Sequence, residues 1–387
     1  MRILVMADMP PDPDSGAAGS EYQLIAALRA LGHHVDVLWT DDIGPRRIAH
    51  GNLHYLLELP RSYRAALRRV MKSASYDVVH VNQPHGWMAA EWLRRHHPGV
   101  PFVHRSHGLE LRVERDLAPW RTRYESDKRP WYRRAAGGFI SALLARHSHR
   151  IVRSAGGHIV FVSEDRDFLV SELGVASERI AVIAAAAPAP MIETPAPPMM
   201  AERLRTILYV SQFAFFKAPN IVAKAMSELA GRHGDLRFVW LCDAQHHHAV
   251  RALFAPEVLR RLELLPWTSQ EELRAVYDRA GIFLFPSFFE GFGKVFLEAM
   301  ARGDAVVATN IAGARDVIED GRDGILVPVG DVTALVSAVE SLLADPARAA
   351  TISESAAAKA RTYTWRRAAS EAAAFYERLR GLGPVRR

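Results

Sequence analysis

Short apolar runs bounded by Gly, Pro, Asp or Asn recur along the chain and alternate with longer stretches whose apolar residues fall at helical spacing. In the first half they occupy residues 3–6, 34–39, 77–81, 102–104, 158–162 and 180–183. In the second they occupy 206–210, 237–241, 282–285, 305–308 and 324–327. Runs that are apolar at nearly every position predict strands buried on both faces, as in parallel sheets, so the expected class is α/β, twice over. Between the two sets, residues 184–200 contain five prolines and no periodicity, which predicts an extended linker. The expected organisation is a domain over residues 1–187, a linker over 188–201, a second domain over 202–364, and a final amphipathic helix with its tail over 365–387. Open parallel sheets hold ligands at the carboxyl ends of their strands, so a substrate site between the halves is the first expectation.

Composition narrows the class. The 387 residues are 49% apolar and 24% charged, with Cys242 as the single cysteine, which excludes a disulfide scaffold. No apolar stretch approaches the roughly 20 residues of a membrane span, and no secretory leader follows Met1, so a cytoplasmic protein is expected. The formal charge is +6, and its placement is informative. Between Arg94 and Arg153 there are 14 Lys/Arg against five Asp/Glu, interleaved with Trp120, Tyr124, Trp131, Tyr132 and Phe139. That pattern suits a peripheral contact with an anionic membrane face, and equally an arginine-rich helical surface with no partner. No nucleic-acid-binding module is recognisable, so nucleic acid is not an expected partner.

Residues 285–303 read FPSFFEGFGKVFLEAMARG and carry the chemistry. A strand is followed by the turn Glu290-Gly291-Phe292-Gly293 and then by a helix with Phe296, Ala299 and Met300 on its apolar side. A glycine turn at a helix start offers unpaired backbone N–H groups and a positive dipole end to a phosphate. Helical side chains lean toward the N-terminus, which aims Glu298 back at the mouth that Glu290 borders. Carboxylates accept from sugar hydroxyls while backbone N–H groups donate to phosphate oxygens, a combination suited to a ligand with both phosphates and sugar hydroxyls.

This string, together with Ala305-Val306-Val307-Ala308-Thr309, resembles the donor-site signature of glycosyltransferase family four, the retaining nucleotide-sugar transferases of the GT-B fold. Asp320-Gly321 through Gly330-Asp331, Thr364-Trp365 and the stretch from Gly16 to Glu21 resemble further family elements in the same order. The resemblance implies two Rossmann-like domains facing a cleft, with a C-terminal helix crossing back to the first. It implies that Glu290 contacts the transferred sugar, that Glu298 holds the ribose hydroxyls, and that Gly291, Phe292, Gly293 and Lys294 help hold sugar and phosphate.

Ser211, Gln212 and Lys217 follow the strand at residues 206–210, where the family grips the donor diphosphate. Lys217 matches the family, whereas Gln212 stands in the place of an arginine and Ala218 in that of a glycine. Charge-assisted bonds contribute about 1.5–3 kcal/mol against roughly 1 for neutral ones, so Lys294 either supplies the missing charge or is an ordinary helix-surface lysine. His107, in His107-Gly108 at a strand end, matches the element that reaches the donor sugar. His104 is the better structural histidine. The loop before the first helix is a second anion site, with Gly16, Gly19 and Ser20 at its helix start. Asp12-Pro13-Asp14 imitates a metal-binding motif of another fold, and adjacent His246, His247 and His248 cannot all face one ion, so no metal site is expected. Trp267 would border the base or simply pack.

The implied reaction moves a sugar from a nucleoside diphosphate, UDP by default, to a hydroxyl of a glycan, lipid-linked or small-molecule acceptor, with retention and without a cofactor or metal. It would belong to polysaccharide, glycolipid or metabolite biosynthesis. Other readings share the architecture: a nucleotide-sugar epimerase or a sugar phosphorylase, and a degenerate member acting as a partner or scaffold.

Overall fold

A computed structural model describes residues 1–13, 16–124 and 131–383, with backbone only for 131–136. The chain forms two compact units, Met1–Ala184 with Trp365–Arg387, and Ala185–Thr364.

The first unit holds β1 (Arg2–Met6), β2 (His34–Leu38), β3 (Val78–Val81), β4 (Phe102–Arg105), β5 (Gly157–Val160) and β6 (Ile180–Val182) in one sheet of order β2-β1-β3-β4-β5-β6. Every pairing is parallel, for example Val5 against His80 and Val81 against His104. The sheet turns outward in both directions from the β1/β3 boundary, its topological switch point. Helix α1 (Ala17–Ala30) follows β1, α2 (Glu110–Tyr124) follows β4, and α3 (Trp131–Ser154) precedes β5. The core lies between sheet and helices, with Leu4, Val79, Leu93 and Ile151 fully buried.

The second unit repeats the plan with β7 (Thr206–Val210), β8 (Arg237–Leu241), β9 (Leu262–Leu265), β10 (Ile282–Phe285), β11 (Ala305–Thr309) and β12 (Ile325–Val327), in the order β12-β11-β10-β7-β8-β9. Its switch point falls between β7 and β10, which pair in parallel through Ile282/Ile207 and Phe283/Leu208. Helices α4 (Pro219–Arg232), α5 (Gln270–Arg279) and α6 (Lys294–Ala301) lie between its strands in sequence. All eleven expected runs form strands. The addition is the edge strand β9, where Glu263 interrupts the apolar run and reaches Arg279 at 3.3 Å. One exposed side of an edge strand removes the continuous apolar signature.

The final helix, α7 (Trp365–Leu382), buries Trp365, Ala368, Ala369, Ala372, Phe375, Tyr376 and Leu379, a stripe at helical spacing. It packs on α1, and the helix thus returns to the first unit as the resemblance implied.

The proline-rich run differs from an extended linker. Ala185, Ala186, Ala187 and Met191 are buried, and two arginines staple the run to the second unit. Arg302, only 1% exposed, donates to the carbonyls of Met191, Thr194 and Pro195 at 2.9–3.1 Å, to the Thr194 hydroxyl at 3.0 Å and to Asp278 at 2.7 Å. Arg203 donates to the carbonyls of Pro197 and Pro198 and pairs with buried Asp304 at 3.0 Å. Proline lacks an N–H, so these carbonyls have no ladder to join and take guanidinium donors instead.

Candidate functional site

The donor-side residues gather around the β7/β10 switch point. The loop after β7 carries Ser211, Gln212 and Lys217, and the loop after β10 carries Glu290 to Gly293. Phe288 N donates to Phe216 O at 2.8 Å, tying the two loops together. The Lys217 ammonium forms an ion pair with Glu290, both side chains being largely buried at 12% and 15% exposure. Tyr209, rising from β7, donates its hydroxyl to Lys217 O at 2.7 Å and fixes the loop from below. Gln212 is exposed, and its carbonyl accepts from Ser211 Oγ at 3.1 Å and Ala214 N at 2.9 Å.

Gly293 caps α6 with φ +95°, a left-handed conformation that places its Cα against Phe285 and Phe296; a Cβ there would come within 2.6 Å of the Phe285 ring. Lys294, half-buried, is the first helical residue. Glu298 lies one turn in and is only 4% exposed. Its Oε2 accepts from the Tyr277 hydroxyl of α5 at 3.1 Å. Burial pushes its carboxyl above the usual range, while nearby Lys294 and the Tyr277 bond pull it back. Glu290 thus pairs with Lys217, while Glu298 has the Tyr277 hydroxyl and the nearby Lys294 charge.

Ala218, in the place of a glycine, holds φ +55° and ψ 48° at the cap of α4, the single positive-φ non-glycine residue described. A left-handed alanine costs about 1–2 kcal/mol, partly offset by the greater unfolded-chain entropy of glycine. Ala218→Gly is expected to raise stability by about 0.5–1 kcal/mol in urea unfolding; an unchanged or lowered midpoint would count against strain at this cap.

In the first unit, His107 follows β4 with its side chain 22% exposed, and its Nε2 lies 3.2 Å from Glu21 Oε1. Glu21 is fully buried on α1, ion-paired with Arg105 and 3.7 Å from His80 Nε2. Burial alone would raise the Glu21 carboxyl; Arg105, His107 and His80 outweigh it and hold it at about 2. His80 is lowered to about 4 by burial and is neutral. His104 is 1% exposed and meets the His158 ring edge-on at 5.7 Å, a packed histidine as expected. At the helix start, Gly16 caps α1, and the amide and hydroxyl of Ser20 both donate to Gly16 O, at 3.4 and 2.9 Å. Ser20, buried, therefore spends on its own helix the donors expected to face an anion. Gly19 touches the Pro13 carbonyl so closely that a Cβ would sit 2.5 Å from it.

Glu21 is the residue the sequence reading missed. The available signal was its position: it shares the buried stripe of α1 with Leu24, Ile25 and Leu28, three, four and seven residues on. The basic segment is also less open than its composition suggests. Arg105 and Arg112 are 2% exposed, Arg112 contacting Asp116 and Asp165 at 3.0 and 3.2 Å. Phe139 is 67% exposed on α3, whereas Asp14 and the side chains of Trp131, Tyr132, Arg133 and Arg134 lie outside the described residues. His246 stacks on Phe213 at 5.3 Å while His247 reaches the carbonyls of Cys242 and Leu265, so the histidine run diverges. Trp267 is 40% exposed. Among the described residues, no helix is long and apolar enough to cross a membrane.

Two doubly wound parallel sheets are the architecture of the GT-B fold, and comparison with known proteins supplies the class. The model of the glycosyl transferases group 1 family matches residues 204–345, and that of the glycosyl transferase 4-like domain matches 15–186. The chain is 30% identical to the D-inositol 3-phosphate glycosyltransferase of Pseudarthrobacter chlorophenolicus, with 84% of this chain and 75% of that protein covered. It is 28% identical to the protein of the same name from Corynebacterium aurimucosum, with 76% and 70% covered. In fold it is similar to sucrose-phosphate synthase from Thermosynechococcus elongatus, at TM-score 0.76 and 20% identity over 99% of this chain and 100% of that one. It is also similar to Anabaena HepE in complex with UDP and glucose, at TM-score 0.67 and 18% identity over 97% and 98%. The chain belongs to the group 1, 4-like glycosyltransferases and is a glycosyltransferase enzyme of GT-B type.

Proposed function

We propose that the protein is a retaining, metal-independent glycosyltransferase that moves a sugar from a UDP-sugar to an acceptor hydroxyl. The observation that carries this reading is the Lys217–Glu290 pair at the β7/β10 switch point, beside the glycine-capped start of α6 with buried Glu298 in its first turns. UDP is favoured because structures of similar fold hold it. In this reading Ser211, Gln212, Lys217, Lys294 and the amides of Gly291 to Gly293 bind the diphosphate, Glu298 the ribose, and Glu290 and His107 the transferred sugar.

The transition state resembles an oxocarbenium ion leaving a diphosphate, so the main task is to stabilise charge growing on the phosphate. The bond from the anomeric carbon to the phosphate oxygen breaks and its electron pair stays on the phosphate. The acceptor oxygen attacks the same face and passes its proton to that phosphate oxygen. Lys217, Lys294 and the helix-end N–H groups carry the charge, and Glu290 orients the sugar. Relatives named for inositol 3-phosphate support an anionic, polyhydroxylated acceptor. Arg105 and Arg112 of the basic segment are buried and paired, so a contact with an anionic membrane face would rest on its exposed arginines, among them Arg115 and Arg150.

Thermal shift tests it. UDP in EDTA is expected to raise the melting temperature, with about 2.7 kcal/mol of stabilisation at 100 times its Kd. The shift should shrink in Glu298→Ala. Glu290→Gln should retain it while losing turnover of UDP-glucose by about 100-fold or more. Absence of a shift with UDP, GDP, ADP and TDP alike would sink the reading.

A further inference from the structure

Beneath the β1/β3 switch point of the first unit lies a charged cluster that no role yet explains. Glu21 reaches it from α1, His80 and Asn82 from β3 and the residue just beyond it, Arg105 and His107 from β4 and its end, and Tyr376 from α7. His80 Nδ1 lies 2.6 Å from the Tyr376 hydroxyl, and its Nε2 lies 3.0 Å from Asn82 Oδ1. An amide oxygen only accepts, so Nε2 carries the His80 proton and Nδ1 accepts from the tyrosine. A neutral, proton-fixed His80 therefore walls one side of the Glu21 carboxylate, and the Arg105 guanidinium walls another. Arg105 is itself held over the Phe161 ring at 4.9 Å, and the His107 ring lies 5.5 Å from the same phenyl.

Burying a carboxylate is costly, and an ion pair alone seldom recovers the cost. Here the carboxylate also meets the one partly exposed histidine of the cluster, the strand-end residue assigned to the transferred sugar. We infer that Glu21 is a positioning residue: together with Arg105 it holds His107 with the proton on Nε2, leaving Nδ1 as the acceptor for a hydroxyl. This rests on the reading of His107 given above. The 3.2 Å approach of Nε2 to Oε1 is close but off the axis of a hydrogen bond, with no aligned partner at Nε2. Such contacts commonly tighten when substrate arrives. Tyr376 extends the support to the C-terminal helix, so the last element of the chain props the same histidine through His80.

Removing Glu21 alone strands Arg105 without its partner, and that variant can fail for structural reasons. The decisive protein is the double variant Glu21→Leu with Arg105→Met, in which both buried charges are exchanged for apolar volume, a replacement that is often neutral for stability. Full-length protein is assayed with UDP-glucose for kcat and KM and with UDP for binding. The ring nitrogens of His107 are read by nitrogen-15 NMR.

The double variant is expected to fold, to bind UDP as the wild type does, and to lose about 100-fold in kcat with little change in KM, the scale of a misplaced reacting group. His107 should change from the Nε2-protonated form to a mixture of tautomers. Glu21→Gln, which keeps an acceptor at Oε1, should restore part of the tautomer signal. Wild-type kcat or an unchanged tautomer in a folded double variant would overturn the inference. A wild type that turns over no donor would instead overturn the functional reading, while the tautomer measurement still decides whether Glu21 sets the ring.

Discussion

Replacing Arg302 by methionine should cost the second unit about 4 kcal/mol. The side chain is buried, and it is the donor for three carbonyls and a hydroxyl of the proline-rich run and for Asp278. Removing one member of a buried charged network costs about 3–5 kcal/mol, because the groups left behind stay desolvated without partners. Methionine roughly conserves the volume, so the loss reports hydrogen bonding and not a cavity. Asp278 keeps Arg274 at 3.1 Å, which places the penalty mainly on the carbonyls of residues 191–195. Urea unfolding measures the free energy. Limited proteolysis supplies a second readout, since the run should become cleavable in the variant while the wild type resists. A loss below about 1 kcal/mol, with the run still protected, would show that the staple is not what holds it.

Glu110→Gln should act in the opposite direction and only above a definite pH. Glu110 opens α2 three residues after His107, its Oε2 enclosed with no hydrogen-bond partner. Burial, with a smaller contribution from Asp165, pushes its carboxyl up to about 7 from the ordinary 4.5. The sign follows from proton counts: between those two values the folded protein holds more protons than the unfolded chain, so stability falls as pH rises through the interval. Above pH 7 the folded state must keep Glu110 ionised at a penalty of about 3.5 kcal/mol, since each pH unit between the two values contributes roughly 1.4 kcal/mol. Glutamine mimics the protonated acid and removes that penalty. The variant should therefore be more stable than the wild type by this amount at pH 8, with the gain shrinking through pH 7 and gone near pH 4.5. Asp165, raised to about 6 mainly by burial, titrates in both proteins and cancels to first order in the comparison. A difference that stays constant from pH 4 to pH 8 would remove the ionisation of Glu110 as its cause.

Both predictions depend on features absent from local pattern. A parallel strand buried on both faces announces itself by composition, as Ile282-Phe283-Leu284-Phe285 does with every residue at 2% exposure or less. A turn that needs a left-handed glycine announces itself by residue type, as Gly293 does. By itself, then, the sequence determined the α/β class, eleven of the twelve strands, the glycine-capped helix and the family, because each rests on neighbours along the chain.

Tertiary structure decided which distant groups meet. Lys217 and Glu290 are 73 residues apart and pair because the sheet order puts β7 beside β10. The same order, with β1 beside β3 and β4 next, gathers Glu21, His80, Arg105 and His107, and a helix nearly 300 residues downstream adds Tyr376. Glu298, which helix direction aims at the mouth, lies buried with the Tyr277 hydroxyl as a partner from another helix. The proline-rich run looked like a free connector, since its composition lacks apolar period; only buried Arg302 and Arg203 bind it down. The physical reason is common to all four. Desolvating a charge is tolerated only where partners converge on it, and that convergence is a property of strand order, to which no window of sequence has access.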